Sequence, residues 1–96
     1  MIDMNRTKAQ FLVVTYDITD DRRRVKIANI LKSFGERVQL SVFECWLTAE
    51  ELEELRGLLS RQMDPDLDSI RIYAPRKSAL VLGSGVITEE AKFYVA

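Results

Sequence analysis

The sequence predicts an α+β sandwich with the element order βαββαβ. Three observations predict it. A continuous apolar run, Phe11-Leu-Val-Val-Thr-Tyr16, leads into an amphipathic stripe at Ile27, Ile30, Leu31 and Phe34. A long stretch of strand formers runs from Val38 to Leu47. A second helical stripe at Leu52, Leu55 and Leu59 then gives way to the alternating segment Ser69-Ile-Arg-Ile-Tyr73.

Each element has its own warrant. Phe11–Tyr16 is β-branched, aromatic and apolar throughout, so it reads as a central strand buried on both faces. It ends at Asp17. Thr19, Asp20 and Asp21 are all good helix caps, and the i, i+3, i+4, i+7 spacing that follows puts one apolar face on a helix. Gly35 is placed as the C-terminal cap of that helix. Val38–Leu47 is long for one strand and reads either as one bent strand or as two short strands broken near Ser41. Thr48-Ala-Glu-Glu51 is a capping-box pattern, and Met63-Asp-Pro65 stops the second helix. Ser69–Tyr73 reads as a strand with one wet face, ended by Pro75. Leu80-Val-Leu82 is a candidate short strand before Gly83-Ser-Gly85, and Phe93-Tyr-Val95 reads either as another or as part of a partly disordered tail. With the middle stretch split, the order is that of a ferredoxin-like sandwich. Its helices cover one sheet face, and a second copy of the chain is the cheapest cover for the other.

Composition sets the outer bounds. The chain has 96 residues, 47% hydrophobic and 30% charged. That is one domain, residues 1–96, with a core over about 9–82 and a tail or exchanged strand over 83–96. A chain this short buries roughly 60–70% of its unfolded surface, so its own core is modest. The lone Cys45 sits in an apolar run and reads as a core residue in a reducing compartment. No run is long enough to span a bilayer or serve as a signal peptide, so the expectation is a cytoplasmic protein without a membrane partner. Net charge is −1, but it is unevenly spread. Residues 20–37 hold six positive and three negative charges, and residues 44–68 hold two positive and eight negative. One face is therefore suited to phosphates while another stays acidic and solvated.

The chain contains no histidine, which excludes histidine general bases, Ser-His-Asp triads and histidine zinc sites. There is no Gly-rich phosphate loop. Asp17 stands at the carboxyl end of a strand, either as a ligand-binding carboxylate or as a cap for the next helix. Arg22, Arg23 and Arg24 lie in the first turns of a helix, where the macrodipole disfavours cations by roughly 0.3–1 kcal/mol each. Pairing with Asp20 and Asp21 accounts for two of them; phosphate contact accounts for all three and is the favoured reading. On pattern alone Arg37 is a loop arginine, Phe43 is a core residue, and Trp46 is a core residue or a dimer contact. If the chain hydrolyses phosphodiesters, a metal is the expected activator of water, and Mg²⁺ takes one or two carboxylates. One Asp17 is a poor site; two copies across a dimer axis make a plausible one.

Two segments carry a family resemblance. Val13-Val-Thr-Tyr-Asp-Ile-Thr-Asp-Asp-Arg-Arg-Arg-Val25 and Arg37-Val-Gln-Leu-Ser-Val-Phe-Glu-Cys45 resemble the two signatures of the CRISPR-associated Cas2 family, and Ser69–Tyr73 resembles its next strand. The likeness spans about 70 residues in the right order. It departs at Leu40, where a tyrosine is usual, and at Trp46, where an acidic residue is common. The resemblance implies a ferredoxin-like homodimer whose C-terminal strand pairs with the partner's sheet. It implies Asp17 as the catalytic, Mg²⁺-binding residue, and Tyr16, Arg22, Arg23, Arg24, Arg37 and Phe43 as nucleic-acid-handling residues. It implies a place in spacer acquisition, with two alternatives open. One is a Mg²⁺-dependent endonuclease acting on single-stranded RNA or duplex DNA. The other is a non-catalytic adaptor bridging dimers of the Cas1 integrase on protospacer DNA.

Overall fold

The computed structural model describes residues 8–89. Its elements are β1 (Gln10–Asp17), α1 (Asp21–Lys32), β2 (Gly35–Gln39), β3 (Val42–Leu47), α2 (Ala49–Gln62) and β4 (Ser69–Tyr73). The four strands form one antiparallel sheet in the order β2-β3-β1-β4. This is the ferredoxin-like βαββαβ arrangement expected from the sequence, with β1 central.

The two helices lie on one face of the sheet. Leu12, Val14 and Tyr16 of β1 and Phe43, Cys45 and Leu47 of β3 point toward them and meet Ile27, Leu31, Leu55 and Leu59. Fully burying such a side chain stabilises the fold by roughly 1.5–3 kcal/mol. The opposite face carries Phe11, Val13, Thr15 and Asp17 of β1, and there the burial fades from Phe11, which is buried, to Asp17, which is exposed. The run that reads as buried on both faces is thus sealed on the helix side and only half-covered on the open side.

The long middle stretch resolves into two strands joined by a turn at Leu40–Ser41. The register steps from Arg37↔Phe43 to Gln39↔Val42, so Val38 is an extra residue that bulges β2. Asp20 caps α1 by accepting the Arg23 N–H, and Thr48 with Glu51 forms the reciprocal box that starts α2.

Two expectations are corrected. Gly35 does not cap α1: Ser33 does, in right-handed helical geometry, and Gly35 opens β2. Its glycine identity answers a close approach instead, because a Cβ there would stand 2.3 Å from the Glu44 carbonyl oxygen and 2.5 Å from Cys45 Sγ. Leu80–Leu82 forms no strand. Strands need a ladder, and among the described residues these find none; Leu80 and Leu82 remain exposed. Farther on, Trp46 Nε1 donates to the Thr88 carbonyl at 3.1 Å, which holds Thr88 against the open face. The Phe93–Val95 strand expected from the sequence lies outside the described residues.

Candidate functional site

Strand geometry decides where the expected site residues go. Side chains alternate along a strand, so the consecutive residues Tyr16 and Asp17 leave β1 on opposite faces. Tyr16 is buried on the helix side, and Asp17 is exposed on the open side. The expected residues therefore divide into two sites.

The helix-side site is a groove of about 330 Å³ between α1 and the β2–β3 turn, lined by Tyr16, Arg24, Asn29, Lys32, Arg37 and Leu40 among others. Among the described residues, three cations and no carboxylate line it. The Tyr16 hydroxyl donates to the Leu40 carbonyl at 3.1 Å, and Arg37 Nη2 reaches the same hydroxyl at 3.4 Å. The Arg37 guanidinium also sits 5.2 Å from the centre of the Phe43 ring, which stacks 6.3 Å from Tyr16. Cation–π attraction of this kind holds a guanidinium in place without consuming its donors. Position 40 serves the site through its backbone: the Leu40 side chain is exposed, and its carbonyl oxygen fixes Tyr16. Phe43 is wholly buried, so it packs beneath Arg37 and presents no face to a base.

The three adjacent arginines have separate surroundings. Arg22 is exposed, on the outer side of the first turn of α1. Arg23 binds Asp68, with Nε to Oδ2 at 2.7 Å and Nη2 to Oδ1 at 3.1 Å. The hydrogen bond to Asp68 raises the Arg23 pKa. The reciprocal bond from Arg23, joined by the Asp64 backbone N–H, lowers that of Asp68. Arg24 reaches back to the Ile18 carbonyl at 3.2 Å and pairs with Asp21. Of the three, Arg22 is the freest to meet a phosphate, Arg24 faces the groove, and Arg23 joins α1 to the loop before β4.

The open-face site is a cleft of about 410 Å³ lined by Thr15, Tyr16, Asp17, Ser69, Arg71 and Tyr73. Asp17 is its one carboxylate among the described residues, directly across from Ser69, while Thr15 faces Arg71. No group of three His, Cys, Asp or Glu side chains is placed to hold a metal ion among the described residues. Mg²⁺ usually takes one or two carboxylates and keeps several waters, and among the described residues this cleft offers one. Cys45 adds no chemistry: it is buried, and burial pushes its pKa up to about 12, where the nucleophilic thiolate is absent near neutral pH.

In the sequence, Ser69, Arg71 and Tyr73 read only as the wet side of a strand, yet they line this cleft. Their signal is parity. Once β4 is placed antiparallel beside β1, the outward residues 69, 71 and 73 share the face of residue 17. Asn29 and Lys32 are hidden in the same way on the polar side of α1.

Comparisons with known proteins agree with this architecture. Residues 10–80 match the family model described as CRISPR associated protein Cas2. A CRISPR-associated endonuclease Cas2 of Thermus thermophilus is 55% identical over 76 residues, covering 79% of this chain and 84% of that protein. A CRISPR-associated endoribonuclease Cas2 of Chloroflexus aurantiacus is 39% identical over 89 residues, covering 88% and 96%. Among solved structures, a hypothetical protein from Thermus thermophilus superimposes with a TM-score of 0.78 at 52% identity, over 84% of this chain and 99% of that one. Streptococcus pyogenes Cas2 gives 0.68 at 33% identity, over 76% and 99%. No helix among the described residues is long and apolar enough to cross a membrane. With both signature segments in place on a ferredoxin-like sheet, the chain belongs to the CRISPR-associated Cas2 family.

Proposed function

We propose that this chain is a Mg²⁺-dependent endonuclease of CRISPR spacer acquisition, acting on phosphodiesters of single-stranded RNA or duplex DNA as a homodimer. The observation that carries this reading is the position of Asp17. It is an exposed carboxylate at the carboxyl end of the central strand, on a sheet face that one chain leaves half-covered. A second copy meeting that face would bring the partner subunit's Asp17 toward this one and supply the missing carboxylate. Leu80, Leu82 and Val86 are exposed apolar residues near the end of the described chain, and pairing with a partner's sheet would give them the ladder and burial they lack. Bound Mg²⁺ would acidify a water and offset charge on the phosphate. The chain's own residues hold the substrate: Arg22 and the Arg24–Lys32–Arg37 groove are suited to the backbone, through bidentate and charge-assisted hydrogen bonds.

One observation favours a second reading, a non-catalytic adaptor that bridges Cas1 integrase dimers on DNA. The basic groove and Asp17 lie on opposite faces of the sheet, so backbone binding does not need the carboxylate.

Cleavage of labelled single-stranded RNA and duplex DNA, with Mg²⁺ and with chelator, separates the two readings. The nuclease reading expects metal-dependent cleavage that Asp17→Ala abolishes while sedimentation still reports a dimer. Equal inertness of wild type and variant, with spacer acquisition intact in cells, would leave the adaptor.

A further inference from the structure

The open-face cleft contains a cation whose placement is not explained by packing. Arg71 projects from β4, an edge strand, on the same face as Asp17. Its cross-strand neighbour is Thr15, and Asp17 stands on the diagonal, where residues of an antiparallel pair are roughly 7–8 Å apart. The ion pairs among the described residues join other side chains and leave Arg71 out. An arginine on an edge strand also guards against sheet-to-sheet aggregation, but that role needs only a charge facing water. Arg71 has more than that. It shares the cleft wall with Tyr73, two residues along on the same face. Arg71 thus brings a planar fork of donors to the cleft that holds Asp17.

A carboxylate alone repels a phosphodiester. A guanidinium on the diagonal offsets that repulsion and offers two parallel N–H groups to the non-bridging oxygens. We propose that Arg71, with Tyr73 beside it in the cleft wall, is a phosphate-holding residue of the Asp17 cleft, and that it seats the nucleic-acid backbone beside the carboxylate before any metal joins. The inference rests on the reading that nucleic acid meets the Asp17 face.

Binding measured in chelator tests it apart from cleavage. Fluorescence anisotropy with a labelled single-stranded RNA and a DNA duplex, over a range of salt, compares wild type with Arg71→Ala, Arg71→Gln, Tyr73→Phe and Asp17→Ala. Each lost phosphate contact should flatten the slope of log affinity against log salt by about 0.7–0.9. Arg71→Ala and Arg71→Gln are expected to weaken binding several-fold with that change in slope. Tyr73→Phe should weaken binding less and keep the slope, because the charge remains. Asp17→Ala should bind at least as well as wild type. Wild-type affinity and slope in Arg71→Ala overturn the proposal. So does a loss of binding that sedimentation traces, in both Arg71 variants, to a broken dimer. If Asp17→Ala still cleaves while Arg71→Ala loses affinity, the nuclease reading fails and Arg71 stands. If Asp17→Ala abolishes cleavage and Arg71→Ala binds normally, Arg71 alone falls.

Discussion

Arg23 holds Asp68 by two points at once, Nε to Oδ2 at 2.7 Å and Nη2 to Oδ1 at 3.1 Å, while the Asp64 N–H donates to the same Oδ2 at 2.8 Å. The Asp68 side chain is fully enclosed. One carboxylate therefore ties the first turn of α1 to the loop that feeds β4, and so sets the end of the sheet where Asp17 and Ser69 meet.

Replacing Asp68 by Asn should lower the thermal midpoint at neutral pH by several degrees, because Arg23 keeps its charge and loses its two-point partner, retaining only Asp20 at 3.9 Å. The folded state holds the Asp68 pKa below its ordinary value of 3.8. Its contribution to stability is therefore present above that value and is lost as pH falls through the lower folded pKa. Urea denaturation from pH 7 downward should show the gap between wild type and Asp68→Asn closing in that acid window.

Phe43 lies under Arg37 in the basic groove and is wholly buried. Phe43→Ala should cost about 3–5 kcal/mol, as expected for truncating a buried aromatic. Phe43→Leu should cost much less and retain nucleic-acid affinity. Chemical denaturation beside anisotropy checks both, and lost affinity in a fully folded Phe43→Leu would give the ring a direct role in binding.

Gly35→Ala pushes a methyl group into the Glu44 carbonyl and Cys45. Overpacking at a backbone contact of this kind costs about 1–3 kcal/mol. A shift of the urea midpoint at unchanged slope would register it. A neutral result would mean that β2 can move away from β3 at little cost.

The sequence made the elements legible where one signal governed them. Thr48 and Glu51 spelled out the start of α2, and the apolar run from Phe11 to Tyr16 marked the central strand. It misled where one residue type serves two ends. A glycine after a helix commonly caps it, yet Gly35 is there because β2 and β3 come too close for a side chain. Leu80–Leu82 has strand composition, but composition does not supply a neighbour to pair with. For the site, Asp17 and the arginines were visible as residues out of keeping with their local structure. Arg71 and Tyr73 were not, since an alternating strand is expected to have polar residues on its wet side. Only the adjacency of β1 and β4, a contact between segments more than fifty residues apart, aligns them with Asp17. The role of Arg23 was hidden for the same reason: its partner lies 45 positions away.

The step from Tyr16 to Asp17 crosses the thickness of the sheet. Because neighbouring positions on one strand serve opposite surfaces, a substitution at either can alter one surface while leaving the other's geometry in place. Selection can thus alter the Asp17 face independently of the basic groove. A lineage that abandons one task keeps an intact scaffold for the other.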